Sequence, residues 1–308
     1  MINKYTPIYL AGHLGLVGSS ILKKLKQLDY KNIIVASRKQ LDLLNQDAVI
    51  SFFKKKKPKA VILAAARVGG IVANNIYRTE FIYENLQLQN NLIFSAFKNG
   101  VKNLVFLGSS CVYPKFCKQP IKEEYLLNGK LEETNEPYAV AKIAGIKLCE
   151  SLNIQFKTNY KCLMPANAYG PNDNYDEFTS HFFPALIKKV YDFKNKKKKI
   201  ILWGSGKVKR ELIFVDDIAD ACIFFLKKKT KETVINIGTG KDHTIKYYLE
   251  FIKKKLKVNA FTYYDKKKPD GTPRKLLNIS LARSYGWKPK TSLEAGFNLT
   301  YREYLKII

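Results

Sequence analysis

Tyr138 and Lys142 stand four residues apart in Tyr138-Ala139-Val140-Ala141-Lys142, a spacing that puts both on one face of a helix. Pro137, directly before them, suits a first helical turn. An ammonium near a phenol favours the phenolate, so this pair can exchange a proton with a carbonyl or an alcohol near neutral pH. In a lysine-rich chain the spacing alone also arises by chance. What makes it specific is Leu107-Gly108-Ser109-Ser110-Cys111, roughly 30 residues upstream at the end of an apolar strand-like run. A hydroxyl, a phenol and an ammonium at such places form an acid–base set.

A second constellation is Gly12-His13-Leu14-Gly15-Leu16-Val17-Gly18, directly after the first strand and opening a helix. Glycines at a strand-to-helix turn let the backbone approach a pyrophosphate, which sits at the positive end of the helix. A tight turn alone would also explain such a pattern, but its place in a first βαβ unit points to a dinucleotide. At the end of the second strand, where an acidic residue would hold the adenine ribose hydroxyls, the chain has Ser37-Arg38-Lys39. A cation there can pair with a 2′-phosphate, so the expected cofactor is NADP(H). Asp42 lies close by.

Elements able to position these groups are legible as β-branched runs alternating with longer amphipathic stretches. Residues 8–11, 33–36, 60–65 and 104–107 read as buried strands, and 16–28, 46–56 and 80–98 as helices. Beyond Pro171 the pattern loosens, with turn-rich stretches at 172–174 and 269–273. Residues 213–215 and 234–237 read as strands returning to the main sheet. The expected fold is α/β, a Rossmann-type doubly wound parallel sheet with a smaller, discontinuous C-terminal domain for the substrate. The division falls at residues 1–167 with 211–242 for the cofactor, and 168–210 with 243–308 for the substrate.

The chain has 308 residues and a formal net charge of +28, enough to raise the question of nucleic-acid binding. The excess is nearly all lysine, however, in runs such as 54–57, 196–199, 227–229, 253–255 and 266–268 at element ends. Lysine at helix C-termini suits the macrodipole and is easily solvated, so no specific nucleic-acid role is expected. Cys111, Cys117, Cys149, Cys162 and Cys222 are scattered without a CxxC pair, which fits reduced thiols rather than disulfides or a metal site. No apolar run is long enough for a membrane span, and the first residues carry no signal-peptide pattern. The expected location is the cytosol.

Longer strings carry a resemblance. They are 64–71 with Asn74-Asn75, 108–115, 134–138 continuing through 144–150, then 203–206 and 268–275. With the GxxGxxG spacing and the Ser/Tyr/Lys set, they resemble the GDP-L-fucose synthase family of extended short-chain dehydrogenases/reductases. These enzymes epimerise and then reduce GDP-4-keto-6-deoxy-D-mannose. The resemblance implies that Ser109, Tyr138 and Lys142 form the reductase triad, and that Cys111 and His181 carry out the epimerisation. It implies a cofactor held by Gly12 to Gly18, Arg38, Leu107, Gly108, Ser109, Ser110, Lys142, Pro165, Ala166, Asn167, Ala168 and His181. It implies a nucleotide-sugar held by Lys189, Trp203, Arg210 and Asp270, and a homodimer formed through the helices near 84–98 and 138–152. The apolar excess of Leu86, Leu88, Leu92, Ile93, Phe94, Ile143, Ile146 and Leu148 is compatible with a second buried face there.

These roles agree with the chemistry of the residue types. Epimerisation beside a ketone needs a proton removed from one face and returned to the other, and thiols and imidazoles titrate in the required range. Trp203 can stack on guanine and Arg210 can clamp the diphosphate. The chain departs from the family at Leu14, where an arginine usually faces the 2′-phosphate, which leaves Arg38 as the main carrier of that contact. Lys189 stands where some relatives use arginine, keeping the charge and losing bidentate geometry. Two alternatives stay open. A dehydratase or 4-epimerase of the same fold would use bound NAD; a dehydratase would carry an acidic pair where Cys111-Val112 stands. A non-catalytic binding protein on this fold would commonly lack the tyrosine or the lysine.

Overall fold

A computed structural model describes residues 2–176, 179–267 and 270–308; Lys268 and Pro269, which open the last string above and close one lysine run, lie outside the described residues. In chain order the strands are β1 (Ile8–Ala11), β2 (Ile33–Ile34), β3 (Ala60–Leu63), β4 (Asn103–Leu107), β5 (Asn159–Pro165), β6 (Asn167–Tyr169), β7 (Ile200–Trp203), β8 (Lys209–Phe214), β9 (Val234–Ile237), β10 (Asp242–Thr244), β11 (Thr262–Asp265) and β12 (Arg274–Lys275). The helices that matter to the site are α1 (Leu16–Gln27), α2 (Gln46–Lys56), α3 (Ile71–Ile76), α4 (Arg78–Lys98), α5 (Glu136–Phe156), α6 (Phe182–Lys196), α7 (Val215–Lys227) and α8 (Ile245–Lys255).

β1, β3, β4 and β9 are apolar runs buried at nearly every residue, as strands covered on both faces by helices must be. They assemble into a parallel sheet of order β2-β1-β3-β4-β5-β9. After β1 the chain turns first to β2 on one side and then to β3 on the other. The strand order therefore reverses at the carboxyl end of β1, where open α/β sheets bind ligands.

One expectation fails. Residues 213–215 do not return to the main sheet: Ile213 and Phe214 end β8, which pairs with β6, β10 and β12, and Val215 opens α7. The place beside β5 is taken by β9, as expected for 234–237. An apolar run signals a buried strand without saying which sheet buries it.

Two apolar cores follow. One surrounds the main sheet; the other gathers Tyr169, Phe183, Ile187, Phe214, Tyr248 and Phe297 beneath the small sheets. Leu277, Ile279, Ala282 and Trp287, C-terminal to the expected boundary at 243, pack into the first core. The segment that carries them leaves β12 and crosses back over the main sheet's edge. Of the apolar residues expected to make a second face on α4 and α5, Leu88, Leu92, Ile93, Ile143 and Ile146 are buried within the protomer, where the two helices pack together. Phe94 remains exposed. The lysine runs 54–57 and 253–255 sit at the last turns of α2 and α8, as the helix dipole favours, while 196–199 and 227–229 begin at the last residues of α6 and α7 and run past them.

Glu211, fully buried on β8, fastens the lobes. Its carboxylate accepts from Thr239 N at 2.5 Å, Gly240 N at 2.7 Å and Leu277 N at 2.8 Å. It thus ties the loop after β9 and the segment after β12 to one strand. Glu211→Ala would leave the buried Leu277 N–H and the part-buried Thr239 and Gly240 N–H groups without their acceptor, and should lower unfolding free energy in urea by about 2–4 kcal/mol.

Candidate active site at the carboxyl ends of the main strands

The glycine loop is a fit of backbone on backbone. Gly12 adopts φ +86°, and a Cβ there would lie 2.6 Å from Ala65 N, at the end of β3. A Cβ on Gly18 would lie 1.9 Å from the Gly12 carbonyl oxygen. Gly15 N donates to Gly12 O at 3.1 Å, and Gly15 caps α1 without a side chain, so the first N–H groups of the helix open onto the cleft. A turn this tight, with the helix N–H groups at its mouth, is the shape a cofactor pyrophosphate requires. Its wall continues through Leu107 to Ser110 after β4 and Pro165 to Ala168 after β5, where Gly108 N donates to Leu163 O at 2.9 Å and Ala166 N to Ile237 O at 2.8 Å. Arg38 lies in the turn after β2, which Ser37 closes by donating through N and Oγ to Gln40 Oε1 at 2.9 and 3.0 Å. Leu14 is an exposed side chain beside the cradle.

Tyr138 and Lys142 share the inner face of α5. The Lys142 side chain is buried, donates to Leu107 O at 2.9 Å, and lies 4.5 Å from the Phe106 ring centroid and 5.8 Å from that of Tyr138. Burial lowers its pKa to about 7. Burial also pushes the Tyr138 phenol well above its ordinary range, helped by the charge of Cys111 and opposed by a hydrogen bond with Ser109. The phenol is thus raised rather than lowered, with Lys142 contributing nothing to the shift, and Tyr138 is a protonated phenol at neutral pH. That is the form that donates a proton to an alkoxide.

Ser109 accepts from Cys111 N at 3.2 Å and caps the short turn that presents the thiol. Two donors converge on Cys111 Sγ: Lys275 Nζ at 3.3 Å and Asn135 Nδ2 at 3.7 Å. Burial pushes the thiol up, but the Lys275 ammonium, hydrogen bonds from Ser109 and Lys275, and the Arg210 guanidinium outweigh it and leave the pKa below its ordinary value. Lys275 was invisible as a site residue in the sequence. It was one lysine among many, and only the parallel pairing of β12 with β8, Arg274 with Lys209 and Lys275 with Arg210, brings it to the thiol.

His181 is the N-cap residue of α6, where its carbonyl accepts from Ala185 N at 3.2 Å, and its side chain is exposed and makes no cap. Desolvation by the surrounding walls holds its pKa below the ordinary value, so it is neutral at pH 7. Arg210 is buried and gives NH1 to Lys209 O at 2.8 Å and to Thr272 O at 2.6 Å, with NH2 3.4 Å from Asp270 O. Asp270 Oδ1 accepts from Ser205 N at 2.8 Å, which joins it to the loop after Trp203. Lys189 donates to Ile201 O at 2.7 Å and lies 5.2 Å from the Trp203 ring centroid. The four residues expected at the nucleotide-sugar are thus linked along one rim. Among the described residues no cluster of metal-ligating side chains occurs.

Residues 8–238 match the NAD dependent epimerase/dehydratase family. The chain is 48% identical over 307 residues to GDP-L-fucose synthase 1 of Arabidopsis thaliana, covering 99% of this chain and 95% of that one. It is 44% identical over 309 residues to GDP-L-fucose synthase of Escherichia coli strain K12, covering 97% and 96%. Among solved structures, a GDP-mannoheptose C4 reductase from Campylobacter jejuni with NADP bound superposes with a TM-score of 0.90 at 38% identity, covering 99% and 100%.

Two substitutions test the electrostatics. Lys275→Met removes the cation that lowers the Cys111 pKa, so the thiolate fraction at pH 7 should fall. Iodoacetamide labelling of the Cys111 peptide, followed by mass spectrometry, should slow about tenfold for each unit by which the thiol rises. Arg38→Ala should weaken NADPH by about 1.5–3 kcal/mol and NADH far less, because only NADPH has a 2′-phosphate to lose a charged partner. Equal losses in fluorescence titrations would remove Arg38 from that role.

Proposed function

The chain belongs to the NAD dependent epimerase/dehydratase family, and we infer that it converts GDP-4-keto-6-deoxy-D-mannose to GDP-L-fucose, epimerising C3 and C5 before reducing the 4-ketone with NADPH. It is an NADP-dependent enzyme, similar over nearly its whole length to GDP-L-fucose synthases. The single observation that carries the two-step reading is the thiol of Cys111 held between Lys275 and Asn135, two residues from Ser109 and beside the Tyr138–Lys142 pair. A reductase alone needs only the serine, the phenol and the lysine. A dehydratase would have carboxylates where Cys111-Val112 stands.

Each residue's role follows from its surroundings. The ketone acidifies the protons on the carbons flanking it. A thiolate paired with a cation can remove one, leaving an enolate and a neutral thiol. The opposite face needs an acid: His181 would take up a proton from solvent and return it there as imidazolium, while the proton left on Cys111 passes to solvent. Bound NADPH supplies hydride to the 4-ketone. Tyr138 gives its proton to the oxygen that becomes the alcohol, with Ser109 hydrogen-bonded to that phenol. Lys142, fixed to Leu107 O beneath it and lowered by burial to about 7, is divided between ammonium and amine near neutral pH. Trp203, Lys189, Arg210 and Asp270 anchor the GDP end, stacking the base and neutralising the diphosphate.

We propose further that two copies pair through α4 and α5, where Tyr83, Phe94 and Val140 are exposed apolar side chains, and that the enzyme works in the cytosol. The five cysteines are all free, and no helix among the described residues is long and apolar enough to cross a membrane.

The two half-reactions separate by mutation. In deuterated water, without hydride transfer, the wild type should wash deuterium into the sugar at the carbons flanking the ketone. Tyr138→Phe should keep much of that exchange and lose most NADPH oxidation. Cys111→Ser should suppress exchange and leave slow reduction of un-epimerised sugar, since a hydroxyl neither gives nor takes protons readily near pH 7. Parallel losses of both activities in the two variants would mean that one acid–base group serves both steps.

A further inference from the structure

Asn135 occupies the N-cap position of α5, three residues before Tyr138. An asparagine there ordinarily turns its side-chain oxygen onto the N–H of the second or third helical residue. Here the second is Pro137, which has no N–H, and the side chain makes no capping hydrogen bond. The carboxamide turns into the site instead, where Nδ2 donates to Cys111 Sγ at 3.7 Å. The residue is only 9% exposed, yet Oδ1 is buried with no hydrogen-bond partner. The assignment of the two amide atoms is not arbitrary. Turned over, the oxygen would face the sulfur's negative charge and the NH₂ group would be the one left unpaired.

A buried acceptor without a donor, next to the reacting thiol, calls for a ligand that brings the donor. We propose that Asn135 reads the hexose, its Oδ1 accepting a hydrogen bond from a ring hydroxyl of the bound sugar while its Nδ2 fixes the Cys111 sulfur beside that ring. This rests on the reading of substrate given above. In that substrate C4 is a ketone, C5 carries the ring oxygen and C6 is a methyl group, so the ring hydroxyls are those on C2 and C3. Both lie at or next to a carbon that is epimerised. One planar amide therefore spans the sugar and the base, and sets the distance between the sulfur and the proton it takes.

The groups facing the thiol are Lys275 from β12, Arg210 from β8 and the Tyr138 phenol from α5. Asn135 adds to them a neutral donor and a directional contact, a positioning role on the sulfur and a binding role on the sugar.

Asn135→Ala and Asn135→Asp, each checked for undiminished NADPH affinity, separate the two contacts. Alanine loses acceptor and donor; aspartate keeps an acceptor where Oδ1 stood, loses the donor and adds a charge. The KM for GDP-4-keto-6-deoxy-mannose should rise about tenfold in Asn135→Ala and much less in Asn135→Asp. The pH profile of iodoacetamide labelling at Cys111 should move to higher pH in both, and farther in Asn135→Asp, because a carboxylate disfavours a neighbouring thiolate. Equal KM rises in both variants would overturn the sugar contact, and a labelling profile that stays in place would overturn the hold on sulfur. Labelling needs no turnover. A wild type inert toward the keto-sugar would sink the substrate reading, and the hydroxyl contact with it, while a shifted labelling profile would still uphold the contact to Cys111.

Discussion

A buried lysine with no carboxylate partner among the described residues sets the terms for the rest of the site. Lys142 meets one backbone carbonyl, Leu107 O, and the face of Phe106. Both come from β4, so the contact that makes burial tolerable also fixes α5 against the strand whose end carries Ser109 and Cys111. Desolvation brings the lysine to about 7 and drives the neighbouring phenol upward. Water kept out for the chemistry is thus the same water whose absence strains both charges. The parallel sheet makes this possible, because its strand ends sit under helices on both faces.

The thiol needs the opposite treatment, and the chain supplies it from the other lobe. β12 is two residues long and would mean little alone, but pairing with β8 puts Lys275 on Cys111 and Arg210 close behind. Glu211, next along β8, holds the segment just after Lys275 through Leu277 N. The phenol is governed by the first lobe and the thiolate by the second, and the cleft between them is where both reach one sugar.

Legibility in the sequence followed the range of the interaction. Gly12 to Gly18 was readable because the close approach is local: strand, turn and helix are contiguous, and the glycines stand where a side chain would collide. The Tyr138–Lys142 pair was readable because helical spacing is a local rule. Five of the six strands of the main sheet were readable from their apolar runs, with ends shifted by a residue or two, while β5 (Asn159–Pro165), broken by Asn159 and Lys161, was not read as a strand. What could not be read depends on contacts far apart in sequence. Residues 213–215 gave the right element and the wrong sheet, since apolar pattern carries burial and not partnership. Lys275 lay 164 positions from Cys111 in a chain full of lysines. Asn135 looked like part of a family string, and its unused cap became visible only with the helix in place. The direction expected for the Tyr138 phenol was reversed for a related reason: its spacing from Lys142 was legible, but the depth of burial that raises it was not.

Opposite tuning of two acids in one pocket also gives an order to the chemistry. Protons beside C4 are acidic only while C4 is a ketone, so reduction ends the chance to epimerise. The site must therefore withhold the phenolic proton until epimerisation is done. An enolate oxygen is a much weaker base than an alkoxide, so a phenol raised by burial responds to the second far more than to the first. A thiolate lowered by Lys275 works at the other end of the scale, removing a carbon-bound proton while the phenol stays intact. Had the ammonium of Lys142 brought Tyr138 toward neutrality, the phenol could protonate the enolate oxygen and blur the two stages. On the function proposed above, the raised phenol and the lowered thiol, with the cations gathered on the sulfur's side, favour epimerisation ahead of reduction.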